Sequence, residues 1–429
     1  MDRLLKFYNN NILTIRNFVN LNFIYFSNVI IQIILIPLLI TAYGLDGYGG
    51  YIFLFSIVNY SEIFVRFGFD YYLLRFAVEN KENKPLINKY FNISVIARLI
   101  IFISILIILI IVINFFSIQN GLILFVLYLT LLKTVFVPIW YFQSINNLNI
   151  ISIASLISNI LLLIAAIIVF SLNLPIIYFV VAVFLSSLLQ IFIIFGKVRR
   201  HLHFYLDSYK NILKDIRYLF KVSFINFFSE VTQLYTNFTK IILGVIFTNE
   251  VVAVFEISTR IVTFSLMPFA TFNNSIYPEV LRKKIIKNIY KNLRLEILLI
   301  SFIVMILFFM KPFIFLFFSG SADLEHSYIL TILSFTIFAV ITNQVLGFHV
   351  LYNFGYDNIR AKGIIFSSVF YIIALFINFI FKINIVAFIC FALLFAELTS
   401  TIYYLINLML LKKEIQKKCA ESTEFIPKN

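Results

Sequence analysis

The sequence predicts an all-α polytopic membrane protein of about 12 transmembrane helices, and three features lead to that prediction. Of the 429 residues, 62% are hydrophobic and 13% are charged, about half the charged fraction of a typical soluble domain. Apolar stretches long enough to cross a bilayer recur along the chain between short polar breaks. Lys and Arg gather in alternate breaks, as expected of a chain that crosses the membrane repeatedly.

The apolar stretches define the expected spans, because a helix needs roughly 20 apolar residues to cross the hydrocarbon core. The predicted spans are residues 18–42, 50–73, 91–115, 121–143, 150–171, 175–196, 220–247, 251–275, 294–318, 328–352, 361–381 and 385–411.

The longest basic loop, residues 197–221, divides six predicted spans from six, the arrangement of a duplicated transporter bundle. A short repeat agrees with this division, since Glu62 and Arg66 in the second span are matched by Glu256 and Arg260 in the eighth. The predicted parts are an N-terminal six-helix bundle (1–200), a basic cytoplasmic linker (201–219), a C-terminal six-helix bundle (220–411) and a basic cytoplasmic tail (412–429).

The positions of Lys and Arg predict the orientation of the chain. Of the 34 Lys and Arg residues, 27 lie in the N-terminal tail, the even-numbered loops and the C-terminal tail, six lie inside the predicted spans, and the opposite loops hold only Lys382. We therefore expect both termini to be cytoplasmic and the spans to lie in an inner membrane. The net charge of +14 does not indicate nucleic-acid binding, because the basic residues follow alternate loops instead of forming one patch.

Residue types that carry catalysis or bind metals are sparse. Cys390 and Cys419 are too few for a disulfide framework, and His201 and His203 have no Cys or carboxylate at ligand spacing. We expect no metal, no cofactor and no enzymatic activity, since the predicted outer loops are too short to carry a catalytic constellation. A membrane-embedded polysaccharide polymerase or acyltransferase is the less favoured alternative.

Ionisable residues inside the predicted spans are the candidates for function, because each costs roughly 2.5–3.5 kcal/mol to insert. Cations there suit a phosphate-bearing head group, since Arg binds phosphate through its bidentate fork and Lys as a point charge. The predicted substrate-binding residues are Arg66, Lys133, Lys240 and Arg260. Carboxylates at the same depth suit a proton or cation that drives transport. The ion-coupling candidates are Glu62, Asp70, Glu230, Glu256 and Glu397.

A structural interpretation of the same charges stays open. Glu62 with Arg66, and Glu256 with Arg260, have the i, i+4 spacing of ion pairs that lock a helix. Asp70 would continue the face of Glu62 and Arg66 on the same helix. The remaining charges would reach the membrane interface by snorkelling: Arg98, Glu296 and Lys311.

Several short segments resemble bacterial O-antigen flippases, the polysaccharide-transport branch of the multidrug/oligosaccharidyl-lipid/polysaccharide exporter superfamily. The segments are residues 36–39 (IPLL), 42–49 (AYGLDGYG), 67–69 (FGF), 75–79 (RFAVE), 138–143 (PIWYFQ), 277–279 (YPE) and 344–347 (QVLG), with Gly355. They span nearly the whole chain. One departure follows the Gln of the PIWYFQ segment, where the family commonly has Gly-x-Glu and this chain has Ser144, Ile145 and Asn146.

The resemblance implies a V-shaped pair of six-helix bundles that works by alternating access. It also implies a substrate, an undecaprenyl-diphosphate-linked oligosaccharide, moved from the cytoplasmic to the periplasmic leaflet. This would be an O-antigen repeat unit of lipopolysaccharide biosynthesis or a capsule repeat unit. Antiport against protons or sodium, and partners such as a polysaccharide polymerase and a chain-length regulator, are implied in the same way. The main alternative is a multidrug or other small-molecule exporter of the same superfamily.

Overall fold

Helices make up nearly all of the computed structural model. It describes residues 2–115, 120–145, 147–198, 209–233, 235–283, 286–321, 325–352, 354–383, 385–411 and 414. In chain order the α-helices are α1 Asp2–Arg66, α2 Phe69–Glu79, α3 Lys84–Phe115, α4 Gly121–Leu129, α5 Leu132–Phe136, α6 Ile139–Ser144, α7 Asn149–Ser171, α8 Ile176–Val198, α9 Tyr209–Gln233, α10 Tyr235–Ile246, α11 Asn249–Lys283, α12 Ile286–Ser319, α13 Tyr328–Gln344, α14 Asp357–Ile380 and α15 Val386–Leu410. A π-helical segment, Val345–Tyr352, directly continues α13.

Ten stretches of the described residues are long and apolar enough to cross a membrane. One of them, Ile33–Glu79, is 47 residues long, about twice the length that a single crossing needs. Its helix bends at Gly44, whose φ of 72° and ψ of 173° lie outside the helical range. The predicted all-α, multi-pass membrane class is therefore confirmed, while the number of 12 helices stays a prediction.

The chain folds as two compact units. Unit 1 comprises Met1–Gly44 and Tyr51–Val231, and unit 2 comprises Leu45–Gly50 and Thr232–Asn429. The domain bounds and the two six-helix bundles predicted from the sequence stay predictions.

In unit 1, α8 is the central packing partner, since α4, α5 and α7 all lie against it. The side chains of Trp140 and Tyr128 are completely buried, and the Tyr128 hydroxyl donates to the carbonyl oxygen of Phe102 across 2.9 Å. This bond ties α4 to α3. Short helix α5, which carries Lys133, packs against α3 and α8.

In unit 2, α15 packs along both α13 and α14. The π-helical segment lies against Tyr404 and Leu408 of α15 in a buried apolar cluster. Gly363 of α14 allows the closest approach, because a Cβ built there would overlap the ring of Tyr404. The hydroxyls of Thr239 and Tyr371 are hydrogen-bonded at 2.5 Å and join α10 to α14.

Two predicted spans are interrupted. The prediction of one helix carrying Glu62, Arg66 and Asp70 is wrong, because α1 ends at Arg66 and Asp70 belongs to α2. Phe67 and Gly68 lie between them with φ of 46° and 65°, left-handed values that end a helix. The predicted span 121–143 is divided into α4, α5 and the start of α6. Pro138 has no amide hydrogen to donate, and Val137 before it is extended.

Candidate functional site

A polar cavity of about 380 Å³ lies inside unit 1. Its charged lining comes from four helices, α1, α2, α3 and α5. The polar residues that line it are Glu62, Arg66, Asp70, Arg98, Lys133, Thr134, Gln143, Ser155, Asn159 and Gln190.

Arg66 and Glu62 form the first ion pair of this cavity. Arg66 Nη2 and Nε donate to the same Glu62 oxygen, Oε1, at 2.7 and 3.1 Å, and the Thr134 hydroxyl donates to it at 2.9 Å. The Arg66 side chain nevertheless stays 45% exposed. Because Arg66 also lines the cavity, its side chain is accessible there to another anion.

Arg98 forms the second ion pair, and the sequence analysis did not assign it to the site. Its Nη2 lies 2.7 Å from Asp70 Oδ1, and its Nη1 donates to the carbonyl oxygen of Thr134 at 3.0 Å. Only 2% of the Arg98 side chain is exposed. The snorkelling interpretation of Arg98 is therefore wrong, and this arginine is an internal tie between α3 and α2.

Lys133 gives the cavity its excess of positive charge. It is exposed to the cavity from α5, and it forms no ion pair among the described residues. The lining contains three cations but only two carboxylates. A ligand with negative charge can therefore bind here without displacing either internal ion pair.

Unit 2 contains a second polar cavity, of about 260 Å³. Helices α10, α11, α13 and α15 line it, so that its walls also come from distant parts of the chain. The polar residues that line it are Asn237, Lys240, Thr259, Arg260, Thr263, Thr336 and Glu397.

Glu256 forms ion pairs with both cations of the second cavity. Its two oxygens lie 2.5 Å from Lys240 Nζ and 2.6 Å from Arg260 Nε. Glu256 and Lys240 are buried, whereas a quarter of the Arg260 side chain is exposed. Together with Glu397 on the cavity wall, Glu256 balances Lys240 and Arg260, whereas the charges lining the unit 1 cavity leave one cation in excess.

Glu397 is held by an amide on the neighbouring helix. Asn343 Nδ2 lies 3.0 Å from Glu397 Oε2 and 2.7 Å from Ser400 Oγ. The Thr401 hydroxyl donates to Asn343 Oδ1 at 2.8 Å, which fixes the orientation of the Asn343 amide. The carboxylate of Glu397 is thus positioned at the cavity wall by neutral groups of α13 and α15.

The predicted site residues fall into two groups. Glu62, Asp70, Arg66 and Lys133 come together in unit 1, and the others except Glu230 come together in unit 2 around Glu256 and Glu397. Glu230 lies on α9 of unit 1, where it interacts electrostatically with Arg66 without lining the cavity.

The sequence analysis did not identify the Asn and Gln side chains that line the two cavities. Gln143, Asn159 and Gln190 line the first and Asn237 lines the second. All four lie inside predicted spans, so their polar character at membrane depth was the available signal.

The comparisons with known proteins agree with this fold. The sequence profile of the polysaccharide biosynthesis protein family matches residues 14–284. A multidrug resistance MATE family transporter of the MOP superfamily, inward-facing, has a TM-score of 0.64 at 12% identity, covering 93% of this chain and 95% of its own. The lipid II flippase MurJ, inward closed, has a TM-score of 0.62 at 17% identity, covering 94% and 90%.

A third similar structure is a MOP superfamily transporter from Pyrococcus furiosus, with a TM-score of 0.56 at 14% identity over 96% of each chain. Among curated proteins, none matches the sequence significantly. The structural neighbours share the fold at low identity, and the profile match covers more than half of the sequence. The chain belongs to the polysaccharide biosynthesis protein family, as its short motifs indicated.

Proposed function

We propose that this protein is a flippase that moves an undecaprenyl-diphosphate-linked oligosaccharide from the cytoplasmic to the periplasmic leaflet of a bacterial inner membrane. The observation that carries the proposal is the surplus of positive charge in the unit 1 cavity. A glycan head group cannot cross hydrocarbon unaided, because every hydroxyl would lose its hydrogen bonds to water. A polar cavity at membrane depth supplies replacements while the polyprenyl tail stays in lipid.

The diphosphate is the part of the substrate that the cations recognise. Arg66 lines the cavity, and its planar guanidinium suits two oxygens of one phosphate. Lys133 adds a point charge with no competing carboxylate in contact among the described residues. Arg98 stays with Asp70 and holds the wall in place.

The sugars are the part that the amides recognise. Gln143, Asn159 and Gln190 each carry both donors and acceptors, which suits hydroxyls of varied orientation. Such a lining favours a glycan over a purely apolar ligand.

In unit 2, Arg260 is the predicted substrate-binding cation that remains partly exposed, whereas Lys240 serves mainly to balance Glu256.

Coupling to a proton or sodium gradient is part of the proposal. Among the candidate carboxylates, Glu62, Asp70 and Glu256 each contact an Arg or Lys directly. Glu397 accepts a hydrogen bond from Asn343 at the wall of the unit 2 cavity. A carboxylate that lines a cavity at membrane depth is suited to bind an exchangeable proton or cation, so Glu397 is the favoured coupling residue.

The second candidate function is export of drugs or other small molecules, since one neighbour of similar fold is a multidrug resistance transporter. Cationic drugs would be repelled by Arg66 and Lys133 in the unit 1 cavity. The charge of that cavity therefore favours an anionic substrate. A membrane-embedded polymerase or acyltransferase would require a catalytic constellation, which neither cavity supplies among the described residues.

The test is complementation of a deletion strain with single alanine variants of Arg66 and Lys133. We expect each to lose surface glycan and to accumulate lipid-linked glycan in the inner leaflet, at normal protein level in the membrane. Arg75→Ala is the matched control, because Arg75 pairs with Glu79 at an exposed position outside both cavities. Full surface glycan with both cavity variants would refute the assignment, and drug sensitivity without a glycan defect would favour the exporter.

A further inference from the structure

The turn between α1 and α2 is an unusual break inside a membrane-depth segment. Two successive residues, Phe67 and Gly68, have positive φ values of 46° and 65°. Glycine adopts this conformation freely, but for a bulky residue such as Phe it is strained. Strain of this kind persists only where the surrounding structure imposes it, and it concentrates at functional sites.

Helix α9 supplies the surroundings that impose it. The Phe67 ring stacks on Phe227 with 4.3 Å between centroids and 6° between planes, and it meets Phe220 edge-on at 4.7 Å. A Cβ built on Gly68 would lie 2.5 Å from the backbone nitrogen of Phe227 and 2.8 Å from Cβ of Asn226. The backbone of α9 therefore enters the space that only glycine leaves open.

Helix α9 is anchored on unit 1 at a second point, about three turns before Phe227. Lys89 Nζ lies 2.6 Å from Asp215 Oδ2, and Leu219 between the two points is fully buried. The stacked rings of Phe67 and Phe227 therefore belong to a contact between α9 and the rest of unit 1 that extends over about three helical turns.

The break separates two charged residues of the unit 1 cavity. Arg66 is the last residue of α1, and Asp70 lies in the first turn of α2. In a continuous helix these residues would be neighbours on one face. In the structure they take different partners, since Arg66 pairs with Glu62 and Asp70 pairs with Arg98. The conformation at Phe67 and Gly68 therefore affects how much of the Arg66 side chain is exposed to the cavity.

We propose that α9 is a brace for this cavity, in which Phe227 and Phe220 are positioning residues that hold the Phe67–Gly68 break and thereby keep Arg66 accessible. The role assigned to Arg66 in head-group binding rests on the proposed function, whereas the brace itself does not. Without the brace, the chain relaxes toward a continuous helix. The side chain at position 70 then leans over position 66, as side chains on a helix do toward its N-terminus.

The test measures the accessibility of position 66 directly and needs no substrate. Arg66→Cys is made in a full-length background carrying Cys390→Ala and Cys419→Ser, and the purified protein is labelled with a water-soluble methanethiosulfonate. Adding Phe227→Ala is expected to lower the labelling rate at position 66 at least about fivefold. Phe228→Ala is the matched control, because Phe228 is the next residue of α9 and is 51% exposed; it should leave the rate unchanged.

Three further variants separate a positioning role from a general loosening of unit 1. Lys133→Cys in the same background reports on the same cavity from α5, and its labelling rate should not respond to Phe227→Ala. Gly68→Ala should reproduce the fall at position 66, because it adds a Cβ against α9 and favours a continuous helix. Phe227→Tyr keeps the stacked ring, so the labelling rate at position 66 should equal that of the protein that retains Phe227.

An unchanged rate at position 66 in monodisperse Phe227→Ala and Gly68→Ala proteins would overturn the brace. Equal changes at positions 66 and 133 would overturn it as well, since they would report loss of packing throughout unit 1. Because labelling does not depend on transport, the brace can hold even if complementation rejects the flippase, and the reverse is equally distinguishable.

Discussion

Arg98 and Asp70 form an ion pair that ties α3 to the first turn of α2, with 2.7 Å between Nη2 and Oδ1. Only 2% of the Arg98 side chain is exposed, compared with 45% for Arg66 in the same cavity. Unit 1 therefore uses one arginine to hold the wall and presents the other to the cavity. The two roles can be separated experimentally.

Asp70→Ala is expected to destabilise the protein strongly, because it leaves the buried guanidinium of Arg98 without its counter-charge. Loss of one partner from a buried pair costs about 3–5 kcal/mol, and a value near the lower end is expected since Asp70 is partly open to the cavity. Thermal unfolding in detergent measures the effect. Glu79→Ala, which breaks the exposed pair with Arg75, should leave the midpoint unchanged, and equal midpoints for all three proteins would contradict the structural role.

Glu256→Gln should destabilise unit 2 by about 3–5 kcal/mol, because it leaves Lys240 buried without a counter-charge. The double variant Lys240→Met with Glu256→Gln should be more stable than Glu256→Gln alone, since no uncompensated buried charge then remains; Arg260 is partly exposed and tolerates the change. A double-mutant cycle of unfolding midpoints measures the coupling. Additive effects of the two substitutions would show that the Lys240–Glu256 contact contributes nothing.

Local spacing in the sequence predicted part of this site. Glu62 with Arg66, and Glu256 with Arg260, form the i, i+4 ion pairs that the structural interpretation anticipated. Such pairs depend only on the helical period. For the same reason, the all-α membrane class followed from hydropathy alone.

The long-range partners could not be predicted. Asp70 meets Arg98 across 28 residues of sequence, and Lys240 reaches Glu256 from a different helix. Tertiary packing determines which helices contact each other, and the hydrophobic periodicity of a single helix does not reveal its partners. The break at Phe67 and Gly68 was missed for a related reason, since a glycine within an apolar run is compatible with an unbroken helix until a neighbouring backbone occupies its open side.

Gly363→Ala should destabilise unit 2 by about 1–3 kcal/mol, because the added methyl group overlaps the Tyr404 ring where α14 meets α15. Gly196→Ala is the matched control. It lies in helix α8 with open space around the position of a Cβ, so it should be neutral or stabilising by about 0.5–1 kcal/mol. Thermal unfolding of both variants decides the matter. Adding Tyr404→Leu should recover part of the loss, and no recovery would assign the effect to another cause.

Glu397→Gln should abolish the response of transport to an ion gradient while leaving the unit 1 cavity intact. The substitution keeps a side-chain oxygen for the Asn343 amide but removes the charge that a coupling proton or sodium ion would neutralise. In proteoliposomes, flipping of a lipid-linked glycan by the unsubstituted protein should accelerate when a proton or sodium gradient is imposed, and flipping by the variant should not. Glu325→Gln serves as the control, because that side chain is 90% exposed. Acceleration of the Glu397→Gln variant equal to that of the control would remove Glu397 from coupling, even where head-group binding by Arg66 and Lys133 is preserved.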